Sequence, residues 1–60
     1  MKLIQFKNGA LVTLDRNGIN GMFSVLLRNP SGAVHDKVTC DTRRGAYEYF
    51  RAFKLIARNL

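Results

Sequence analysis

Apolar residues along this chain fall into short blocks, each closed by residues that make turns. Leu3–Phe6, Ala10–Leu14, Met22–Arg28 and Ala33–Cys40 are rich in Val, Leu, Ile, Phe and Thr, which suit a pleated, half-buried strand. Asn8-Gly9, Asn17-Gly18 and Asn20-Gly21 stand between blocks, and each pair tolerates the positive φ of a tight turn. Asn29-Pro30-Ser31-Gly32 reads as a type I turn, with Pro at its second position and Gly at its fourth. Connections this short make neighbouring strands pair in sequence, as an antiparallel meander.

From Asp41 the period changes. Asp41 or Thr42 can cap a helix, and Arg43 to about Arg58 follows without proline. At about 100° per residue, Ala46, Tyr49, Phe50, Phe53, Ile56, Ala57 and Leu60 share one face, which is expected to lie on the sheet. Gly45 in the first turn costs up to about 1 kcal/mol against Ala. It implies either close approach to a neighbouring strand or a frayed start. The expected architecture is α+β: an antiparallel meander of three to four strands followed by one C-terminal helix on one face (ββββα), in a single domain over residues 1–60.

A loop at 29–32 would set Arg28 opposite Ala33, Leu26 opposite His35, Ser24 opposite Lys37 and Met22 opposite Thr39. The other face would then pair Leu27/Val34, Val25/Asp36 and Phe23/Val38, an apolar set suited to the helix. Asp36 interrupts that set, so a bulge or an edge position is expected there. An Asn8-Gly9 turn would pair Phe6/Leu11 and Ile4/Thr13 on one face, and Leu3/Leu14 and Gln5/Val12 on the other. Both faces carry apolar residues and one helix cannot cover both, so the spare face is expected to meet another subunit.

Composition narrows the classes. Sixty residues allow one domain. Cys40 is alone, which excludes a disulfide scaffold, and with His35 it makes two zinc ligands at most. No cofactor or metal is expected. There is no apolar run of membrane-spanning length. The start, Met1-Lys2-Leu3-Ile4-Gln5-Phe6-Lys7, is too short and too soon charged for a secretory signal, so a cytoplasmic domain is expected. A domain this small with no staple invites self-association, as a homodimer or higher oligomer.

Charge changes the picture more than any other property. Ten Lys and Arg against four Asp and Glu give a net charge of +6, with an isoelectric point near 10.3. Residues 1–41 hold five basic and three acidic side chains, whereas residues 42–60 hold five basic and one acidic. On the helical wheel Arg43, Arg44, Arg51, Lys54 and Arg58 occupy one arc beside the apolar face, with Tyr47 among them. Arg28 and Lys37 lie on strands. Clustered cations with an accessible aromatic suit a phosphate backbone and stacked bases. The competing reading is a solvated face with Arg44–Glu48 and Glu48–Arg51 pairs. Leu55 points away from the core face. Asp15, Asp36, Asp41 and His35 are the ingredients for metal-assisted hydrolysis, but they have no recognised ligand spacing. Cys40 reads as a small core residue.

Met22–Arg28, the Pro30-Ser31-Gly32 turn and Val38-Thr39-Cys40-Asp41-Thr42-Arg43-Arg44-Gly45-Ala46-Tyr47 together resemble two related domains. These are the arm-binding domain of tyrosine integrases and the Apetala-type domain of plant transcription factors. That resemblance implies a sheet face in the DNA major groove, formed here by Ser24, Leu26, Arg28, His35, Lys37 and Thr39. This chain lacks the family's aromatic and Arg-rich first strand and adds a strand at its start. The ββββα order over the whole length resembles the positive-cofactor-four type of single-stranded-DNA-binding fold. Some small phage proteins, anti-CRISPR inhibitors included, look like that fold too.

These readings lead to an expected non-catalytic DNA-binding protein of phage or mobile-element type, with single- or double-stranded DNA left open. Arg28, Lys37, Arg43, Arg44, Arg51 and Arg58 would contact phosphates, and His35 and Tyr47 would stack or hydrogen-bond. The alternatives are an inhibitor or adaptor that binds a host protein, and a Mg²⁺-dependent nickase built across an oligomer around Asp15 and Asp36.

Overall fold

The computed structural model describes residues 1–16 and 21–60. The expected Asn17-Gly18 turn and the Asn20 half of the next one lie outside the described residues. Strands β1 (Lys2–Gln5), β2 (Leu11–Arg16), β3 (Phe23–Arg28) and β4 (Val34–Cys40) form one antiparallel sheet in the order β1-β2-β3-β4. Helix α1 (Arg43–Arg58) follows and packs on one face, giving ββββα. The core comprises Ala10, Val12, Leu14, Val25, Leu27, Ala46, Phe50, Phe53 and Ala57. α1 lies over β2 and β3 and reaches β4, but makes no close backbone approach to β1.

The first hairpin differs from the sequence expectation by one residue. The Gly9 N–H donates to Phe6 O at 2.9 Å, and the Phe6 N–H donates to Ala10 O at 2.9 Å. The loop is therefore three residues, a tight turn followed by Gly9 at φ +95°, the left-handed position such loops require. Ile4 pairs with Val12 and Lys2 with Leu14, while Leu3 pairs with Thr13 and Gln5 with Leu11. A one-residue slip exchanges the faces. Ile4 and Lys2 thus join the helix side, and Leu3 turns outward, 55% exposed.

The second hairpin departs twice, and the departures cancel over most of its length. Asn29 pairs with Ala33 through an N–H···O bond of 2.9 Å. This places Val34, not Ala33, opposite Arg28. A bulge then inserts His35, so Asp36 faces Leu27, Lys37 faces Leu26, Val38 faces Val25 and Thr39 faces Ser24. Two one-residue shifts restore the parity, so Val38 keeps the inner face while Lys37 and Thr39 keep the outer one. Val34 changes side, to an outer position that is 52% exposed, and His35 has no cross-strand partner. The irregularity expected around Asp36 is present, on an edge strand.

Thr42 is the N-cap, its Oγ1 accepting from the Gly45 N–H at 3.1 Å. A Cβ at residue 45 would stand 3.0 Å from that oxygen and 3.9 Å from the Cys40 Cβ. Gly45 is there for close approach. At the other end, Asn8 Nδ2 donates to the Ala57 carbonyl at 2.9 Å while its Oδ1 accepts from the Ala10 N–H at 2.8 Å. One side chain thereby fixes the first turn and moors it to the last turn of α1.

The helix buries a narrower stripe than the wheel suggests. Ala46, Phe50, Phe53 and Ala57 are buried, whereas Tyr49, Ile56 and Leu60 are 47%, 39% and 39% exposed. They stand on the β4 side, where the sheet ends at its bulged edge. Tyr49 meets Phe53 edge to face, with centroids 6.2 Å apart. Leu55 is exposed, as expected, and Cys40 is half-buried against the core.

Candidate nucleic-acid interface

The two flanks of α1 differ in chemistry. Opposite the apolar β4 flank, Arg43, Tyr47, Arg51, Lys54 and Arg58 follow at intervals of three or four residues. Such residues are neighbours on a helix surface, and the run covers about 22 Å of helix at about 1.5 Å per residue. This flank looks towards β1. Because α1 covers the inner side of β1 only in part, with Ile4 half-buried against the core, a groove of about 460 Å³ opens between them, lined by Lys2, Leu3, Ile4, Tyr47, Phe50, Arg51 and Lys54.

Register and helical phase together place the side chains. The Lys2–Leu14 pairing puts Lys2 on the helix side, and its Nζ stands 5.8 Å from the centroid of the Tyr47 ring. Lys54 Nζ stands 5.1 Å from the Phe50 centroid. Both geometries fall within cation–π range. Below the groove, Phe6, Lys7, Asn8 and Arg58 line a second depression. The cationic strip thus runs from Arg43 and Lys2, past Arg51 and Lys54, to Arg58 and Lys7.

Little negative charge offsets it. The ion pair found among the described residues is Arg44 Nε to Glu48 Oε1 at 3.7 Å, with both side chains exposed. Arg44 is thus engaged at the margin, while the six cations of the strip have no carboxylate at ion-pairing distance among the described residues.

The residues singled out in the sequence therefore divide. Arg43, Tyr47, Arg51 and Arg58 come together on the helix flank. Arg28 and Lys37 lie on the outer sheet face, with the whole sheet between them and α1, and the Arg28 guanidinium donates to Gly32 O at 2.8 Å. His35 sits exposed in the bulge. Lys2, Lys7 and Lys54 belong to the strip but were not among the site residues expected from sequence, where Lys54 stood only in the basic arc of the helix.

The outer face carries Met1, Thr13, Asp15, Ser24, Leu26, Arg28, Val34 and Lys37 around a shallow depression, with Leu3 and Leu11 beside them by register. It is as apolar as it is charged, and Asp15 offsets part of the basic charge. Asp15 lies on this outer face, in line with Ser24, whereas Asp36 pairs with buried Leu27 on the helix side. The two carboxylates considered for hydrolysis cannot converge within one chain. No group of three His, Cys, Asp or Glu side chains suited to a metal occurs among the described residues. No helix among them is long and apolar enough to cross a membrane. Comparison with protein-family models, with curated proteins and with solved structures gives no match to this chain.

Proposed function

We propose that this protein binds nucleic acid through the α1 flank and the β1 side of the sheet, contacting phosphates without carrying out catalysis. One observation carries the reading: Lys2, Lys7, Arg43, Arg51, Lys54 and Arg58 converge along one strip with no carboxylate at ion-pairing distance among the described residues. A merely solvated helix face would interleave acids, as Arg44 and Glu48 do. Neutralising phosphates with such a strip releases counterions, so affinity should fall linearly in log–log form with salt, with a slope of about −0.7 to −0.9 per contact. Fluorescence anisotropy of labelled DNA between about 50 and 300 mM salt tests this. Steep salt dependence supports the reading, and weak, salt-indifferent binding removes it.

A second, compatible reading concerns the outer sheet face. Leu3, Leu11, Leu26 and Val34 form a partly exposed apolar patch there, with Asp15 towards one end, Arg28 towards the other and Lys37 beside Leu26 on the edge strand. Such a surface can satisfy its own charges against a second copy of the chain, which supports self-association over capture of a different, host-derived protein. Sedimentation of wild type against Leu26→Glu tests it: a dimer abolished by the substitution supports it, and a monomer in both overturns it.

A further inference from the structure

We propose that the groove between β1 and α1 takes an unstacked base of single-stranded DNA against the Tyr47 ring, an inference that rests on the nucleic-acid reading above. The strip alone would serve any phosphate backbone. The groove adds something a duplex cannot use.

Tyr47, the rim of buried Phe50 and Ile4 give it an apolar side beside its cationic groups. Its volume, about 460 Å³, lies at the lower end of the range for small-molecule sites. The polar side-chain groups of the lining are the ammonium and guanidinium heads of Lys2, Lys54 and Arg51 and the Tyr47 hydroxyl, with no carboxylate or amide among them. An anionic ligand with a planar ring fits that chemistry. A neutral or basic one does not.

The Lys2 ammonium identifies where the ring would go. It stands over the Tyr47 face at 5.8 Å, on a long flexible stem, so the π-face opens into the groove behind a group that can move. A base can replace the ammonium on the ring, and the ammonium can turn to the phosphate of the same nucleotide. Arg51 and Lys54, close on the same flank, receive the neighbouring phosphates. In a duplex the bases are paired and stacked inside the helix, and presenting one to this groove would require extruding it. A single strand offers its bases freely, and stacking on an aromatic is tolerant of sequence. Apart from the Tyr47 hydroxyl, the side chains of the lining offer no acceptor to a ribose 2′-hydroxyl, the group by which proteins select RNA. That points to the deoxy strand.

The test uses the full chain with labelled oligothymidylate of about 12 nucleotides, within the usual site sizes for small modules, a duplex of equal length, and the matching oligouridylate. The expected result is tighter binding of the single DNA strand than of the duplex. Tyr47→Leu, which keeps apolar volume but removes the π-face, should weaken strand binding about tenfold while leaving the duplex unchanged. Tyr47→Phe should behave as wild type. The chain has two tyrosines, so a Tyr49→Phe background leaves Tyr47 as the sole emitter, and its fluorescence should be quenched on strand binding. Circular dichroism on each variant separates misfolding from loss of the contact. Equal affinity for strand and duplex, both indifferent to Tyr47→Leu, overturns the groove while the phosphate-binding strip stands. Tighter binding of the ribo strand overturns the deoxy assignment. Salt-insensitive or absent binding to all three removes both readings.

Discussion

Asn8 is one side chain that joins the two halves of this fold, and replacing it should be costly. Asn8→Ala removes the 2.9 Å bond from Nδ2 to the Ala57 carbonyl and the 2.8 Å bond accepted from the Ala10 N–H. The Ala57 carbonyl still receives the Leu60 N–H at 3.2 Å, so no acceptor is orphaned. The N–H of buried Ala10 does lose its acceptor, so the net worth of two hydrogen bonds, about 1 kcal/mol each and about 2 kcal/mol together, is the least the change should cost. A domain of this length has roughly 3–9 kcal/mol in all, and each kcal/mol moves its melting temperature by about 4–8 °C. Thermal unfolding followed by circular dichroism should therefore show a fall of at least about 8–16 °C. Asn8→Asp keeps the acceptor for Ala10 but sets a carboxylate against a carbonyl at the negative end of α1. It should lose at least as much at neutral pH. An Asn8→Ala protein within about 0.5 kcal/mol of wild type, the ordinary surface range, would refute the mooring role.

Other outcomes follow from the same contacts. Leu27 is fully buried between α1 and the sheet, so Leu27→Ala should cost about 2–5 kcal/mol in urea unfolding. Thr42→Ala removes the N-cap and should cost about 1 kcal/mol. Gly45→Ala should change sign with its neighbour: no gain while Thr42 Oγ1 stands 3.0 Å from the new Cβ, and a gain of up to about 1 kcal/mol in a Thr42→Ala background. A double-mutant cycle reads this directly, and additive effects would contradict it.

Much of the fold is legible because its boundaries are written in composition. The stops at Asn8-Gly9 and Asn29–Gly32, and the change of period after Asp41, locate four strands and a helix. Register is written less openly. Asn8-Gly9 is compatible with a two-residue or a three-residue loop, and what selects the longer one is the use of the Asn8 amide on Ala57 and Ala10, a tertiary fact. The faces of β4 beyond its bulge are right because two one-residue shifts cancel. Val34 and His35, which precede the second shift, are misplaced. The helical wheel gives the direction of the buried stripe but not its width. Tyr49, Ile56 and Leu60 are exposed because α1 sits chiefly over β2 and β3 and reaches the edge strand β4 less closely. The arc of Arg43, Tyr47, Arg51, Lys54 and Arg58 is legible for the same reason that the stripe is. Lys2 is not, since its place over Tyr47 depends on the register that the turn sets.

The central claim is that location, not total charge, directs nucleic-acid binding. The most direct test compares two variants that lower the net charge equally from +6, Arg51→Glu with Lys54→Glu on the helix flank, and Arg28→Glu with Lys37→Glu on the outer face. Binding of labelled single-stranded DNA is measured across a salt series. The flank pair should lose at least tenfold in affinity and flatten the salt slope by about 1.4, two contacts at about 0.7 each, while the outer-face pair stays within about threefold of wild type. Equal losses from both pairs would contradict the site and leave bulk charge as the cause.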